Sequence, residues 1–242
     1  MEINKECNLF LRDVYSYDIE SCHYTILKRK GLDISWINKD NKLERNTQIG
    51  KWMGRNQRIT SLLRNTTNSI IDDYINKNNL KSEEIILRQY DGLIITRMLR
   101  EKTNQEISLD LRNIFQTFIS SYDRKMYIAF DGKETFIKGI PYRYKEMDAI
   151  YKKLLNINFL NKTSVFRGLE KIKNDFLNSN NPYLFCIPTN ENNKFNVFLY
   201  GYDQMEISKQ TIKLLGTEDI NKKKYFDFYI KPFTQSIVSE FL

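Results

Sequence analysis

The stretch Tyr17-Asp18-Ile19-Glu20-Ser21-Cys22-His23-Tyr24-Thr25-Ile26-Leu27 puts an aspartate at the end of an alternating apolar segment that runs straight into a helical pattern. It reads as a strand end that presents Asp18 for metal binding. A second stretch, Glu84-Ile85-Ile86-Leu87-Arg88-Gln89-Tyr90-Asp91-Gly92-Leu93-Ile94-Ile95-Thr96, is β-rich and broken at Asp91-Gly92, the composition of a tight hairpin with one carboxylate at its tip. Taken singly, Asp18 reads as a helix cap or solvated strand end and Asp91 as a turn residue. Taken together, two aspartates on adjacent strand ends can hold a pair of divalent ions. Mg²⁺ takes one or two carboxylates and completes its octahedron with water and substrate phosphates.

Length and composition set the outer bounds. At 242 residues and 41% hydrophobic content the chain can bury a substantial core. Its formal charge of +8 favours a polyanionic partner, nucleic acid first, although the abundance of Lys and Asn also follows from A/T-rich coding. Cys7, Cys22 and Cys186 are odd in number and lack CxxC spacing, which points away from a disulfide framework or zinc knot and toward a reducing compartment. Without an apolar run of ~18 residues or a signal-peptide core, the expectation is a cytoplasmic protein, of a cell or of a virus acting in its host, with no membrane partner. His23 is the only histidine, so Ser-His-Asp, Cys-His and histidine-rich metal chemistry would all rest on one residue. Carboxylates with metals remain.

Along the chain, residues 1–27 read as strand followed by helix start, and 28–41 as a basic connector. Residues 42–76 carry Trp52, Ile59, Leu62, Leu63, Ile70, Ile71 and Tyr74 at helical spacing, with Gly50 and Gly54 allowing a bend. After the Asp91 hairpin, Glu106–Phe118 reads as a helix. Residues 125–130 and 134–139 read as strands paired through Asp131-Gly132. Composition shifts near Asn156, and beyond it come a helix over Ser164–Leu177, an apolar block over Tyr183–Ile187, and a closing helix with Tyr225, Tyr229 and Phe233 on one face.

In order, these pieces resemble the C-terminal polymerase region of family B DNA polymerases, over most of the chain. Asp18 through Leu27 looks like the first palm motif, Asp-x-x-Ser-apolar-Tyr-Pro-Ser-apolar-apolar, with His23 where the sugar-sensing tyrosine usually stands. Lys42-Leu43-Glu44-Arg45-Asn46-Thr47-Gln48-Ile49-Gly50 is similar in spacing to the second motif, Lys-x-x-x-Asn-Ser-x-Tyr-Gly. Asp91 takes the second aspartate position of the third motif and Gln89 the first. Arg124-Lys125-Met126-Tyr127 resembles the Lys-Lys-x-Tyr element, Lys138-Gly139 the Lys-Gly after it, and Tyr225 through Pro232 the tyrosine-rich turn of a thumb helix.

The resemblance implies an α+β fold: a palm with a small antiparallel sheet backed by helices over residues 1–156, reduced fingers inserted at about 28–64, and a mainly helical thumb over 157–242. It implies a DNA-directed DNA polymerase that uses two Mg²⁺ ions, or Mn²⁺, and takes primer-template DNA and dNTPs. Asp18, Asp91 and the carbonyl of Ile19 would bind metal. Ser21, His23, Lys42, Asn46 and Gly50 would meet the nucleotide, and Lys125, Tyr127, Lys138 and Gly139 the primer. The family's amino-terminal and exonuclease regions are not in this sequence, so a partner chain that supplies them is a further expectation. Two alternatives stay open. Asp18-Ile19-Glu20 also resembles the first motif of two-metal 3′–5′ exonucleases, which would then need Asp91 or Asp123. Gln89 and the short fingers also fit a non-catalytic nucleic-acid-binding subunit.

Overall fold

A computed structural model describes residues 8–100, 107–121, 126–139, 145–181, 187–188, 195–197, 205–207, 222–223 and 225–242. The protein is α+β and divides into two compact units, one holding Asp13–Ile114 and the other Cys7–Arg12 with Phe115–Leu242. The division thus falls at 114/115, and not at 156/157 where composition shifts. The helices on both sides of Asn156 share one core, so the shift marks a loop within a unit.

The first unit is built on a four-stranded sheet in the order β3-β4-β2-β5, with β2 at Val14–Ile19, β3 at Ile85–Arg88, β4 at Gly92–Ile95 and β5 at Leu109–Phe115. Strand β2 pairs antiparallel with β4 in the register Tyr17↔Leu93 and Asp18↔Gly92. Alternation sends Tyr17, Ile19, Leu93 and Ile95 into one core with helices α1 (Cys22–Arg29), α2 (Lys42–Arg55) and α3 (Gln57–Lys77). Asparagines start the last two helices. The Asn41 side chain accepts from the Glu44 N–H at 3.1 Å, and the Asn56 side chain accepts from the Arg58 and Ile59 N–H groups at 3.1 and 3.2 Å. Residues 42–77 are therefore two helices, an outcome the glycines left open beside a single helix, and the break is at Asn56. Its extended backbone ends one helix while its side chain caps the next.

The expected helix over Glu106–Phe118 is corrected. Among its described residues, Leu109–Phe115 is β5 and Thr117–Ser120 is β6. Leu109 and Phe115 are buried at its two ends while most residues between are exposed. Pairing with β2 along one edge overrides the local pattern.

In the second unit, β1 (Leu9–Phe10), β6, β7 (Tyr127–Phe130) and β8 (Thr135–Lys138) form an antiparallel sheet in the order β1-β6-β7-β8. The β7–β8 turn uses Gly132 at φ 95°, a left-handed conformation in which a side chain would be strained. Helices α4 (Lys145–Leu155) and α5 (Lys162–Leu177), a π-turn at Phe226–Ile230 and α6 (Lys231–Ser239) share one core with it. Tyr225, Tyr229 and Phe233 are all buried there, on the common face expected of the closing helix. Strands β9 (Ile187–Pro188), β10 (Phe195–Val197) and β11 (Met205–Ile207) make a third sheet, while most of the Tyr183–Ile187 block lies outside the described residues. Among the described residues no helix is long and apolar enough to cross a membrane.

Candidate active site

The β2–β4 pairing brings the two aspartates together. The Ile19 N–H donates to the Asp91 carbonyl at 2.9 Å, so the ladder continues one step past Asp18↔Gly92 and fixes the hairpin tip beside the end of β2. Gly92 is required at this crossing, because a β-carbon there would run into the carbonyl oxygen of Tyr17. From Ile19 the chain turns into α1 within two residues, through Ser21 in the left-handed region at φ 47° and ψ 43°. A non-glycine residue held there stores strain of a kind that gathers at functional sites.

Both aspartates line a cavity of about 760 Å³, a volume in the range of small-ligand sites. One wall comes from α2, where Lys42, Arg45, Asn46, Gly50 and Met53 recur at three- and four-residue spacing and so share a helix face. This explains why the Lys-x-x-x-Asn-x-x-x-Gly spacing is informative: it is the period of one wall. Ser21, His23 and Tyr24 from the start of α1 line the same space, as do Ile19, Glu20 and, from β5, Arg112.

Carboxylates and cationic side chains share the cavity. Burial raises the pKa of Asp18, the Asp91 charge adds to the rise, and Arg112, the Ile19 N–H and Lys42 oppose it. Its Oδ1 is buried without a hydrogen-bond partner. Arg112 reaches Glu20 at 4.0 Å, with the Glu20 side chain 76% exposed. Arg45 donates to the Lys39 carbonyl at 2.7 Å and lies 5.9 Å from the centre of the Tyr24 ring. His23 packs edge-on against Tyr90 at 5.2 Å, and burial lowers its pKa against the pull of Asp91, which favours neutral imidazole.

Among the described residues no three His, Cys, Asp or Glu side chains gather as a metal group. The donor set is instead two carboxylates, one with an unsatisfied buried oxygen, and this fits an ion such as Mg²⁺ that draws its remaining ligands from water and phosphate.

Of the residues singled out in the sequence, Asp18, Ile19, Ser21, His23, Lys42, Asn46, Gly50 and Asp91 all line this one cavity. Tyr127, Lys138 and Gly139 belong to the second unit, and Lys125 lies outside the described residues. Tyr127 is buried with its ring stacked on Phe118 at 4.9 Å, so its ring serves that unit's core. Lys138 and Gly139 are exposed. Cys22, Tyr24, Arg45, Met53 and Arg112 also line the cavity, and the sequence assigned none of them a role there. Arg45 could have been found from its place one turn after Lys42, whereas Arg112 was hidden by reading its strand as a helix.

The fold and the cavity thus define an α+β protein of two units, one of which carries a paired-carboxylate pocket walled by cationic side chains. The model of the bacteriophage PBS1 gene 130 protein family matches residues 4–226, and the chain belongs to that family. No curated protein matches it.

Proposed function

We propose that the chain is a nucleotidyl transferase of the family B DNA polymerase type, which extends a primer 3′ end on a DNA template with dNTPs. The observation that carries this reading is the meeting of Asp18 and Asp91, set by one β-register, in the same cavity as the Lys42, Asn46 and Gly50 face of α2. Three segments separated in sequence line that one cavity, which supports the reading.

Asp18 and Asp91 would hold the metal. When bound, divalent ions supply activation of the primer hydroxyl and neutralise charge on the leaving group. The primer 3′ oxygen attacks the α-phosphorus, the bond from that phosphorus to the bridging oxygen breaks, and pyrophosphate leaves. Lys42, Arg45 and Arg112 are cations on the cavity wall, placed to bind the triphosphate and offset its developing charge. Asn46 and Gly50 follow Lys42 along α2, and the space beside Gly50 is open, which suits the flat edge of a nascent base pair.

The exonuclease alternative would draw on Glu20, which lines the same cavity as Asp18 and Asp91, and on Asp123, which lies outside the described residues. The test is primer extension by the purified chain with Mg²⁺ and dNTPs. Extension by wild type and its loss in Asp91→Ala are expected. Equal extension by Asp91→Ala would overturn the two-carboxylate site, and Asp18-dependent shortening of the primer without dNTPs would favour the exonuclease.

A further inference from the structure

We propose that Trp36 and Trp52 form a stacking platform for single-stranded nucleic acid on the flank of α2. Trp36 lies in the 30–41 connector, 46% exposed, and meets Trp52 at 5.4 Å between ring centres and 75° between ring planes. Trp52 is half-buried against the core of the first unit, and Trp36 keeps nearly half of its surface open. The connector is anchored in the core by the next residue, Ile37, which is 5% exposed.

The exposed ring is held in place. Its indole N–H donates to the Asp33 carbonyl at 3.2 Å, and Asp33 accepts from the Ser35 N–H and hydroxyl at 3.1 and 2.8 Å. Beyond it, the Asn38 N–H donates to Gln48 at 2.9 Å, the Asn38 side chain donates to Glu44 at 2.7 Å, and Arg45 donates to the Lys39 carbonyl at 2.7 Å. These bonds tie the connector to α2. An aromatic face fixed in advance loses little conformational freedom when a ligand stacks on it.

The cations of α2 suit a polyanion. Arg45, Gln48, Trp52 and Arg55 recur at three- and four-residue spacing and share one flank of α2, with Lys51 beside them, while Asp33, Asp40 and Glu44 are the acids of the connector and the first turn of α2. Aromatic faces set among cations bind single strands with little base preference, the rings taking bases and the cations taking phosphates. Arg45 also lines the carboxylate cavity, so the platform is continuous with that site through α2. The inference rests on the polymerase reading for the identity of the strand, an unpaired template, and otherwise requires only that a single strand is a ligand.

Trp36 and Trp52 are the chain's two tryptophans, so intrinsic fluorescence reports this platform directly. The experiment titrates the full chain with labelled oligothymidylate and oligouridylate, without metal or nucleotide, reading tryptophan quenching and the anisotropy of the label. Quenching is expected, with about tenfold weaker binding for Trp36→Leu and recovery in Trp36→Tyr, which keeps an aromatic face. The two oligonucleotides distinguish a DNA from an RNA strand. Unmoved fluorescence, or wild-type affinity in a folded Trp36→Leu, overturns the platform, as does self-association through the aromatic pair that oligonucleotide fails to displace. No metal or nucleotide is present, so a chain that binds but cannot extend primers leaves the platform standing. Normal extension with no quenching removes the platform alone.

Discussion

Replacing Gly92 by alanine adds one methyl group at the point where β2 and β4 cross beside Asp18. The new β-carbon meets the Tyr17 carbonyl oxygen well inside contact distance, and it also comes within 3.5 Å of the Asp18 α-carbon. A backbone oxygen within a ladder cannot rotate away as a side chain would, so the strands must separate. Overpacking of this kind costs about 1–3 kcal/mol. With a denaturant slope of about 2 kcal/mol per molar urea, the unfolding midpoint of the first unit should fall by about 0.5–1.5 M. The same separation strains the bond from the Ile19 N–H to the Asp91 carbonyl, the contact that holds the two carboxylates in register. A misplacement of about 1 Å at reacting groups costs on the order of a hundredfold in rate, so the extension rate should fall by about that much even where the variant is fully folded. Urea unfolding followed by tryptophan fluorescence reads the first effect, since both tryptophans lie in that unit, and single-turnover extension reads the second. A variant with the wild-type midpoint and rate would refute the register on which the site is built.

Asp18→Asn removes a charge that burial and Asp91 both disfavour, so it should raise the thermal midpoint while abolishing extension; a lowered midpoint would contradict the electrostatics of the cavity. Lys42→Ala should raise the dNTP concentration needed for half-maximal extension while leaving primer-template affinity nearly unchanged, as measured by steady-state kinetics and anisotropy. Burial pushes the Cys22 thiol up to about 11, against a hydrogen bond with Thr67 at 3.4 Å, so alkylation at pH 8 followed by peptide mass spectrometry should find Cys22 unmodified until the chain is unfolded. Arg112→Ala removes a cation that opposes the raised pKa of Asp18, and extension should weaken most at low dNTP; an unchanged dose response would place Arg112 outside the site.

The sequence by itself determined those features whose causes are local. The hairpin around Asp91 was legible because two apolar, β-rich runs flank it within a dozen residues, although its tip is formed by residues 89–91 and Gly92 is the first paired residue of β4, not a turn glycine. The Lys42, Asn46 and Gly50 wall was legible because helical period converts spacing into a shared face. The closing aromatic face followed from the same rule. The helix break moved from the glycines to Asn56, since an extended residue whose side chain caps the next helix ends a helix more decisively than a glycine that α2 accommodates. Only the tertiary structure decided what depends on pairing between distant segments. Leu109–Phe115 is a strand because it lies next to β2, and Arg112 lines the cavity with Asp18 for that reason. Tyr127 became a core residue when β7 paired with β6 and set its ring on Phe118. The meeting of Asp18 with Asp91, separated by more than seventy residues, rests on the β2–β4 register, which one glycine makes possible. Local propensity reaches a few residues along the chain, whereas backbone hydrogen bonds and burial act on whatever the fold brings side by side.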